Sequence, residues 1–274
     1  MRKTWIACVL IGGMALVACQ QKSKHQSQDS KYFQWNKPAV VPCSKEDKRR
    51  KVFTIPKLGK MCLEHTVNDV IKTGLRQGRL WEPHLHRYFR RYIRKGSTAL
   101  DIGAHIGSHT LVMAKLVGPK GQVHAWEPQL KIYQELLVNL DLNKATQAYA
   151  HFAALGDTHL RIAMSPPGKG NEGGTAMGSG GNRVELLPLD FYKLKNVSFI
   201  KIDVEGAEFS VLKGAAQTIK ANNPVILFEA WAKNKKQRQA AARIFQFLGT
   251  LGYKHIARVS TFNYLAYPLG KKPY

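Results

Sequence analysis

A short apolar run ends in an acid and is followed by two glycines. Thr98–Ile102 has the length and composition of a buried parallel strand, and residues 108–117 have helical character. Between them, Gly103 and Gly107 permit a tight backbone turn. A second apolar run ends at Glu127. The sequence therefore predicts a strand, a glycine turn, a helix and an acid-tipped strand, which is one unit of an α/β nucleoside-binding domain.

The glycine spacing indicates which nucleoside such a domain binds. A dinucleotide fingerprint needs glycines where His105 and Ser108 stand, so that the backbone can approach a pyrophosphate. A better match is an adenosine ligand without phosphates, whose ribose hydroxyls are held by a carboxylate roughly 20 residues further on, where Glu127 lies. S-adenosylmethionine (SAM) fits that description. The alternative from these residues alone is that Asp101 caps a turn and both glycines are ordinary turn residues.

Carboxylates recur where predicted strands end. Residues 196–204 and 224–228 form two more buried-strand candidates, and an amphipathic helical pattern separates them. The acids at the carboxyl ends of the four strands are Asp101, Glu127, Asp203 and Glu229. In an open α/β sheet these ends face the ligand crevice, so the sequence predicts that the four acids belong to a site.

Four segments, at residues 100–107, 126–128, 153–157 and 199–208, resemble the FkbM-type methyltransferases in their order and spacing. The resemblance covers about residues 96–230, and its most specific part is the segment from Lys201 to Glu208. It implies a class I, SAM-dependent, Rossmann-like α/β fold, with helices on both faces of a mostly parallel twisted sheet. It also implies O-methylation of sugars or small natural products.

The resemblance also implies a set of cofactor-binding residues. These are Asp101, Gly103, Ala104, His105, Gly107, Glu127 and Pro128. Two positions depart from the family pattern, because His105 replaces the usual Asn and Trp126 replaces the usual Phe. The histidine can still hydrogen-bond the cofactor and the tryptophan can still pack beside the adenosine, so we expect cofactor binding.

Methyl transfer requires that a nucleophile be aligned with an electrophilic methyl group and that its proton be removed. Asp203 is the predicted general base, or the ligand of an optional divalent cation, with Glu205 supporting it and Lys201 tuning its pKa. Glu229 is a second candidate for either role. The alternative is that Asp203 and Glu205 only cap the helix that follows.

The N-terminus predicts export. Residues 1–18 combine a basic start with an apolar stretch too short for a comfortable membrane span, and they resemble a bacterial lipoprotein signal that ends at Cys19. A lipidated Cys19 would anchor the protein on the periplasmic or cell-surface side, where SAM is not expected. The alternatives are an uncleaved anchor or a cytoplasmic enzyme with a mistaken start codon.

Residues 19–51 read as a flexible basic tether. The chain carries a formal net charge of +24, which favours an anionic membrane or another polyanion as partner. Arginines at helical spacing precede the first sheet strand and predict either a solvated helix face or a binding patch; they are Arg87, Arg90, Arg91 and Arg94. Nucleic acid is a weaker candidate, because aromatic residues are not interleaved with the basic run.

A single methyltransferase domain is predicted over residues 52–274. Its three parts are an N-terminal hairpin and helix at 52–95, a cofactor-binding core at 96–230 and a C-terminal part at 231–274. Within the first part, residues 53–63 predict a hairpin and residues 82–94 a helix. The glycine-rich residues 165–182 predict a loop between the third and fourth strands of the sheet.

Cys43 and Cys62 are the cysteines that remain beyond the signal. Their spacing matches no metal motif. In an oxidising compartment they can form a disulfide between the end of the tether and the first folded strands, but two free thiols are equally compatible with the sequence.

The sequence is therefore compatible with three functions. The favoured one is SAM-dependent O-methylation of a sugar or another hydroxylated small molecule. The second is a membrane-anchored basic binding protein on a non-catalytic methyltransferase scaffold. The third, favoured only by the positive charge, is a nucleic-acid methyltransferase.

Overall fold

The chain alternates strands and helices through most of its length. This computed structural model describes residues 42–44, 46–165, 172, 178, 183–268 and 270, all within one unit, Pro38–Tyr274. The strands are β1 Arg50–Ile55, β2 Gly59–Glu64, β3 Thr98–Ile102, β4 Gln122–Trp126, β5 Ala148–His151, β6 Ala154–Leu155, β7 Leu160–Ala163, β8 Arg183–Leu187, β9 Val197–Ile202, β10 Val225–Glu229, β11 His255–Arg258 and β12 Asn263–Tyr267. The helices are α1 Val70–Arg76, α2 His86–Tyr92, α3 Ser108–Val117, α4 Leu130–Leu142, α5 Glu208–Gly214, α6 Ala216–Asn222 and α7 Lys235–Thr250, with a 3-10 turn at Leu189–Tyr192.

Seven strands form the main sheet, in the order β11, β12, β10, β9, β3, β4, β5. The five from β10 to β5 are mutually parallel, and β12 runs antiparallel to both β10 and β11. β1 and β2 pair as a hairpin, and β6, β8 and β7 form a small separate sheet. The predicted α/β fold of the class I methyltransferase type, with a mostly parallel sheet, is confirmed.

Helices cover both faces of the main sheet. Successive side chains of a strand point to opposite faces, so each central strand contributes apolar side chains to both. On β10, Ile226 and Phe228 pack with α5, α6 and α7 on one face. Val225 and Leu227 pack with α2 and α3 on the other. Further along that second face, α1, α4 and the β1–β2 hairpin cover the sheet near β4. Near-continuous apolar strands are what burial on both faces requires, and this is why they were recognisable in the sequence.

Several predicted boundaries are confirmed. β3 and α3 have the bounds expected from the sequence, and the predicted strand at 224–228 closes on Glu229. The hairpin expected at 53–63 is present, but its first strand begins at Arg50, inside the predicted tether. A disulfide between Cys43 and Cys62 extends the folded part further back.

The helix predicted over residues 82–94 is wrong in its extent. α2 covers only His86–Tyr92, and Glu82 has a φ of 39°. The reason is local, because Glu82 precedes Pro83 and a residue before proline is disfavoured in the helical region. Arg94 lies beyond the helix end and its backbone N–H donates to Ser198 Oγ. The predicted four-arginine helix face therefore reduces to the three exposed arginines of α2.

Three predicted segments fall largely outside the described residues. They are the signal at residues 1–18 with Cys19, most of the tether at residues 19–51, and most of the loop at 165–182, which here connects β7 to β8. Within the described ranges, the helices are all too short or too polar to cross a membrane.

Candidate functional site

A cavity of about 600 Å³ opens at the carboxyl ends of β3, β4, β9 and β10. The predicted site residues that line it are Gly103, His105, Glu127, Pro128, Asp203, Glu205 and Glu229. The others, Asp101, Ala104, Gly107 and Lys201, are not part of its wall. The acids at the ends of β4, β9 and β10 thus meet in one crevice, as the sequence predicted.

Gly103 follows β3 and lies where the end of β3 meets the end of β9. Its φ is 80°, and a Cβ there would lie 1.8 Å from the carbonyl oxygen of Asp203. The backbone N–H of Asp203 donates to Ile102 O at 3.0 Å. Only glycine fits this close approach of two strand ends. The approach places Asp203 beside the first turn of the cofactor-binding unit.

Asp101 lies beneath the cavity rather than in its wall. It is fully buried and accepts a 2.6 Å hydrogen bond from Thr110 Oγ1. Lys201 Nζ lies 3.4 Å from Asp101 Oδ1 and 3.3 Å from Asp203 Oδ2. Burial acts to lower the pKa of Lys201, but the two carboxylates outweigh it and the pKa is raised. Asp101 therefore fixes a charged lysine under Asp203 instead of reaching a ligand itself.

Glu127 directly follows β4 and is a buried carboxylate. Its Oε2 accepts from the backbone N–H of His105 at 3.0 Å, and its Oε1 accepts from that of Gln129 at 2.9 Å. Burial raises its pKa to about 7, against the effect of these two hydrogen bonds. Two oxygens that offer about four lone-pair sites retain room for further donors.

His105 has ring nitrogens that are buried against the cavity. Within the described residues, neither Nδ1 nor Nε2 has a hydrogen-bond partner, and the backbone has a φ of 50°. Burial lowers the pKa of this histidine to about 4. A buried polar group usually has a partner, so a neutral imidazole in this state fits a bound molecule that supplies one. Beside it, Trp126 lines the cavity and stacks on His151 at 4.8 Å.

Glu229 ends β10 on the other side of the cavity. It accepts a 2.7 Å hydrogen bond from Trp231 Nε1. Burial and the nearby Asp203 raise its pKa to about 7. The pKa of Glu205 is also raised, mainly by burial and in addition by the negative charge of Asp203. The backbone of Glu205 has a φ of 54°. The three acids are close enough to repel one another when all are ionised.

The alternative that Asp203 and Glu205 cap the next helix is not what the structure places there. α5 begins at Glu208, with Ala207 in the N-cap position. The Glu208 side chain accepts from the backbone N–H groups of Val204 and Gly206. Glu208 therefore stabilises the turn between β9 and α5 through these hydrogen bonds. Asp203 and Glu205 line the cavity instead.

The optional cation site predicted at Asp203 receives no support. In the part of the chain that the structure describes, the group of carboxylates close enough to share an ion is Glu64, Glu135 and Glu172. That group is occupied by lysines, since Lys72 Nζ lies 2.8 Å from Glu135 and 2.5 Å from Glu172. Lys131 likewise pairs with Glu64 and Glu172. The buried Lys72 and the half-exposed Lys131 therefore supply positive charge beside these acids.

The sequence predictions missed several residues of the cavity wall. Those with aromatic or charged side chains are Trp81, Glu82, Trp231 and Phe262. Trp231 and Phe262 stack at 4.1 Å with an interplanar angle of 17°. Trp81 and Glu82 precede Pro83, and this pattern predicted the start of a helix and not a site. Their place in the cavity depends on contacts with distant segments, which the local sequence does not reveal.

The family model described as methyltransferase FkbM domain matches residues 101–255. No curated protein sequence gave a significant match. Among solved structures, an FkbM methyltransferase from Methylobacillus flagellatus aligns with a TM-score of 0.48 and 19% identity, over 66% of this chain and 50% of that chain. This chain thus spans half the length of that protein.

Two further solved structures align over a similar share of the chain. A precorrin-6y C5,15-methyltransferase from Geobacter metallireducens has a TM-score of 0.45 and 15% identity, over 69% of this chain and 90% of that chain. Fibrillarin from Aeropyrum pernix, in complex with SAM, has a TM-score of 0.43 and 12% identity, over 64% of this chain and 67% of that chain.

Proposed function

The chain belongs to the FkbM methyltransferase domain family, whose model matches more than half of its 274 residues, and we propose that it transfers a methyl group from SAM to a hydroxyl group of a sugar or another small molecule. The observation that carries the proposal is one cavity with two differently equipped ends. Glu127, which accepts a hydrogen bond from His105, follows β4. Glu229 ends β10, three strands away in the sheet, and Asp203 follows the neighbouring β9.

The residues around β3 and β4 suit the cofactor. When bound, SAM supplies an electrophilic methyl group on a sulfonium centre. Glu127 accepts hydrogen bonds from the ribose hydroxyls through the lone pairs that its two backbone donors leave free. The imidazole of His105 provides a hydrogen bond that the described protein groups do not use. Trp126 and Pro128 flank the adenosine.

Glu229 is the better general base of the two candidates. A base works best when its pKa lies near the working pH, and burial with the neighbouring Asp203 raises that of Glu229 to about 7. Asp203 is instead paired with the ammonium of Lys201 at 3.3 Å. We therefore assign proton removal to Glu229, and to Asp203 the alignment of the acceptor beside the cofactor. Glu205 adds negative charge that keeps Glu229 receptive to the proton.

Calorimetry of SAM and S-adenosylhomocysteine with the full chain tests cofactor binding. We expect binding that is weakened at least about tenfold in Glu127→Ala, because hydrogen bonds to a charged group contribute about 1.5–3 kcal/mol. Glu185→Gln, a partly exposed acid of β8 away from the cavity, should bind like the natural protein. Absence of binding to a folded chain would exclude the enzyme and leave the membrane-anchored binding protein.

Transfer of a radioactive methyl group from SAM to a panel of methyl glycosides tests the base. Because the ionised carboxylate is the active form, the rate should rise with pH through about 7, the pKa of Glu229. Glu229→Gln should lose at least about 100-fold in kcat, together with that rise. An unchanged pH profile in this variant would remove Glu229 from the reaction.

We also propose that the protein is an exported lipoprotein anchored through Cys19. The disulfide between Cys43 and Cys62 supports this, because disulfides persist in oxidising compartments. Labelling with radioactive palmitate in bacteria should mark the natural chain and not Cys19→Ser. Equal labelling of both, or of neither, would reject lipidation at this residue.

Contact with an anionic membrane is proposed for the exposed arginines of α2, a helix that contains no acid. Sedimentation with phosphatidylglycerol vesicles should exceed that with phosphatidylcholine vesicles and should weaken with added salt. Replacement of Arg87, Arg90 and Arg91 by glutamine should remove the difference. If it persists, these arginines are only a solvated face.

A further inference from the structure

Glu82 is a cavity carboxylate that lies outside the family-matched residues 101–255. It stands in the turn between α1 and α2, next to Trp81, which lines the same cavity. The assignments made so far for cofactor binding and proton removal leave it unused. Its position and charge nevertheless set it apart from the other cavity acids.

Two segments distant in the sequence contact this carboxylate. Asn263 Nδ2, at the start of β12, donates to Glu82 Oε1 at 3.3 Å. His109 Nε2, in the first turn of α3, lies 3.3 Å from Glu82 Oε2. The backbone of Glu82 has a φ of 39°, which is unusual for a residue with a side chain. Such conformations persist where the surroundings impose them, and they cluster at ligand sites.

The pKa values of Glu82 and Glu229 are shifted in opposite directions within the same cavity. Burial acts to raise the pKa of Glu82, but its contact with His109 outweighs this and the pKa is lowered. Burial and Asp203 raise the pKa of Glu229 to about 7. Two carboxylates whose environments separate their pKa values in this way have different tasks. One can exchange a proton near neutrality, while the other stays an ionised hydrogen-bond acceptor.

The wall of the cavity opposes a negatively charged ligand. Its acids are Glu82, Glu127, Asp203, Glu205 and Glu229. Among the described residues that line it there is no lysine or arginine, although the chain has 42 of these and only 18 acids. An anionic acceptor would be repelled here, whereas hydroxyl groups would find acceptors. The stacked Trp231 and Phe262 add an aromatic surface at the same end. The ammonium of Lys233 lies 4.3 Å from the Trp231 ring centroid, and Lys233 is not part of the cavity wall.

We propose that Glu82 binds a non-reacting hydroxyl of the methyl acceptor and, together with Glu229, restricts acceptors to polyhydroxylated molecules without negative charge. This rests on the proposed methyl transfer and specifies its acceptor. Glu82 holds one hydroxyl while Glu229 receives the proton of the other. The acceptor therefore presents at least two hydroxyls to opposite sides of the acidic cavity.

A pair of sugars that differ in one group tests the charge selection. Methyl glucopyranoside and methyl glucuronopyranoside share a ring, but the second carries a carboxylate. With the full chain and radioactive SAM, we expect KM for the glucuronoside to exceed that for the glucoside at least about tenfold. Similar KM values for the two sugars, or transfer to neither from a protein that binds SAM, would overturn the inference.

Variants of Glu82 test its role. Glu82→Gln should raise KM for the glucoside about 10- to 100-fold with little change in kcat, because a charge-assisted hydrogen bond is lost. It should also narrow the discrimination against the glucuronoside and keep the rise in rate through about pH 7, which belongs to Glu229. Glu82→Asp should recover part of the affinity, and Glu185→Gln should behave like the natural chain.

The outcomes separate the inference from the function on which it rests. If the full chain binds no SAM, the proposed methyl transfer fails. If SAM binds and Glu82→Gln, shown to be folded by its thermal melting, keeps the natural KM and discrimination, only the role of Glu82 fails.

Discussion

At the scale of single residues, burial decides which charges the site can carry. Glu127 is only 4% exposed, and burial raises its pKa to about 7 from an ordinary 4.5. The folded state therefore favours the protonated form. Its contribution to the free energy of unfolding is complete below pH 4.5 and is lost as pH rises through about 7.

Glu127→Gln should remove the part of this pH dependence that belongs to Glu127 and leave the part from Glu229, whose pKa is also raised to about 7. The part from Glu127 amounts to about 3 kcal/mol at most, because each unit of pKa corresponds to about 1.4 kcal/mol. Urea unfolding at about pH 5 and pH 8 measures it as a difference between variants. Glu185→Gln should retain the natural slope. If Glu127→Gln retains it as well, Glu127 is not the buried acid responsible.

Lys201 is the second residue whose effect can be stated in advance. Lys201→Met should destabilise the chain by about 3–5 kcal/mol, because Asp101 would remain buried without its cation. Lys213→Met removes a partly exposed partner of Asp157 and should cost only about 0–1 kcal/mol. Both are measurable by urea unfolding. Similar losses in the two variants would contradict the role given to Lys201.

Residue identities predicted the cofactor end better than the acceptor end. Glu127, His105 and Gly103 follow a strand pattern that is readable within thirty residues of sequence, and they line the cavity. The carboxylate of Glu82 contacts Asn263 and His109, which are far from it in the chain. No local pattern reports such contacts. Asp101, a strand-end acid like the others, turned away from the cavity to hold Lys201.

At the scale of elements, the close approach of the ends of β3 and β9 holds the site together. Gly103→Ala would put a Cβ 1.8 Å from the Asp203 carbonyl oxygen and a side chain on a backbone with φ of 80°. We expect a loss of at least about 2 kcal/mol in unfolding free energy, together with weaker SAM binding, because Asp203 must move.

Gly249→Ala is the matched control for this substitution. Gly249 lies in α7, and a Cβ there would meet no atom within 4 Å. This change should leave SAM binding unaltered and stabilise the chain by up to about 1 kcal/mol, since alanine favours a helix over glycine. Thermal melting and calorimetry of both variants supply the comparison. Equal behaviour would show that the strand-end approach is not essential.

Strands were predictable where both faces are buried, since their apolar runs have few alternatives. β3, β9 and β10 all appeared near their expected bounds. The start of α2 did not, because the constraint at Pro83 outweighs the helical spacing of the arginines. Helical spacing alone therefore overstated the length of a basic face.

At the scale of the whole molecule, the disulfide links Cys43, which precedes β1, to Cys62 in β2. Cys43 and Cys62 are 19 residues apart, and closing a loop of that size contributes about 3 kcal/mol in the chain-entropy description. Reduction should lower the Tm of the natural chain. A double Cys43→Ser, Cys62→Ser variant should already melt at the lower temperature and be insensitive to reductant.

A reductant that leaves the natural Tm unchanged would argue against the disulfide. The sequence left this pair open, because spacing does not report distance. The structure brings the two cysteines together by pairing β1 with β2, which carries Cys62.

The order of the strands separates the residues proposed to bind the cofactor from those proposed to bind the acceptor, so the two sets can be exchanged independently. β4, which carries the nucleoside end, and β10, which carries the acceptor end, are separated by β3 and β9, a distance of about 14 Å at the usual strand spacing. Most of the acceptor end comes from residues after 200, while the nucleoside end comes from residues before 130. Exchanging only the C-terminal segments between relatives should therefore yield chimaeras with altered acceptor preference and an inherited cofactor affinity.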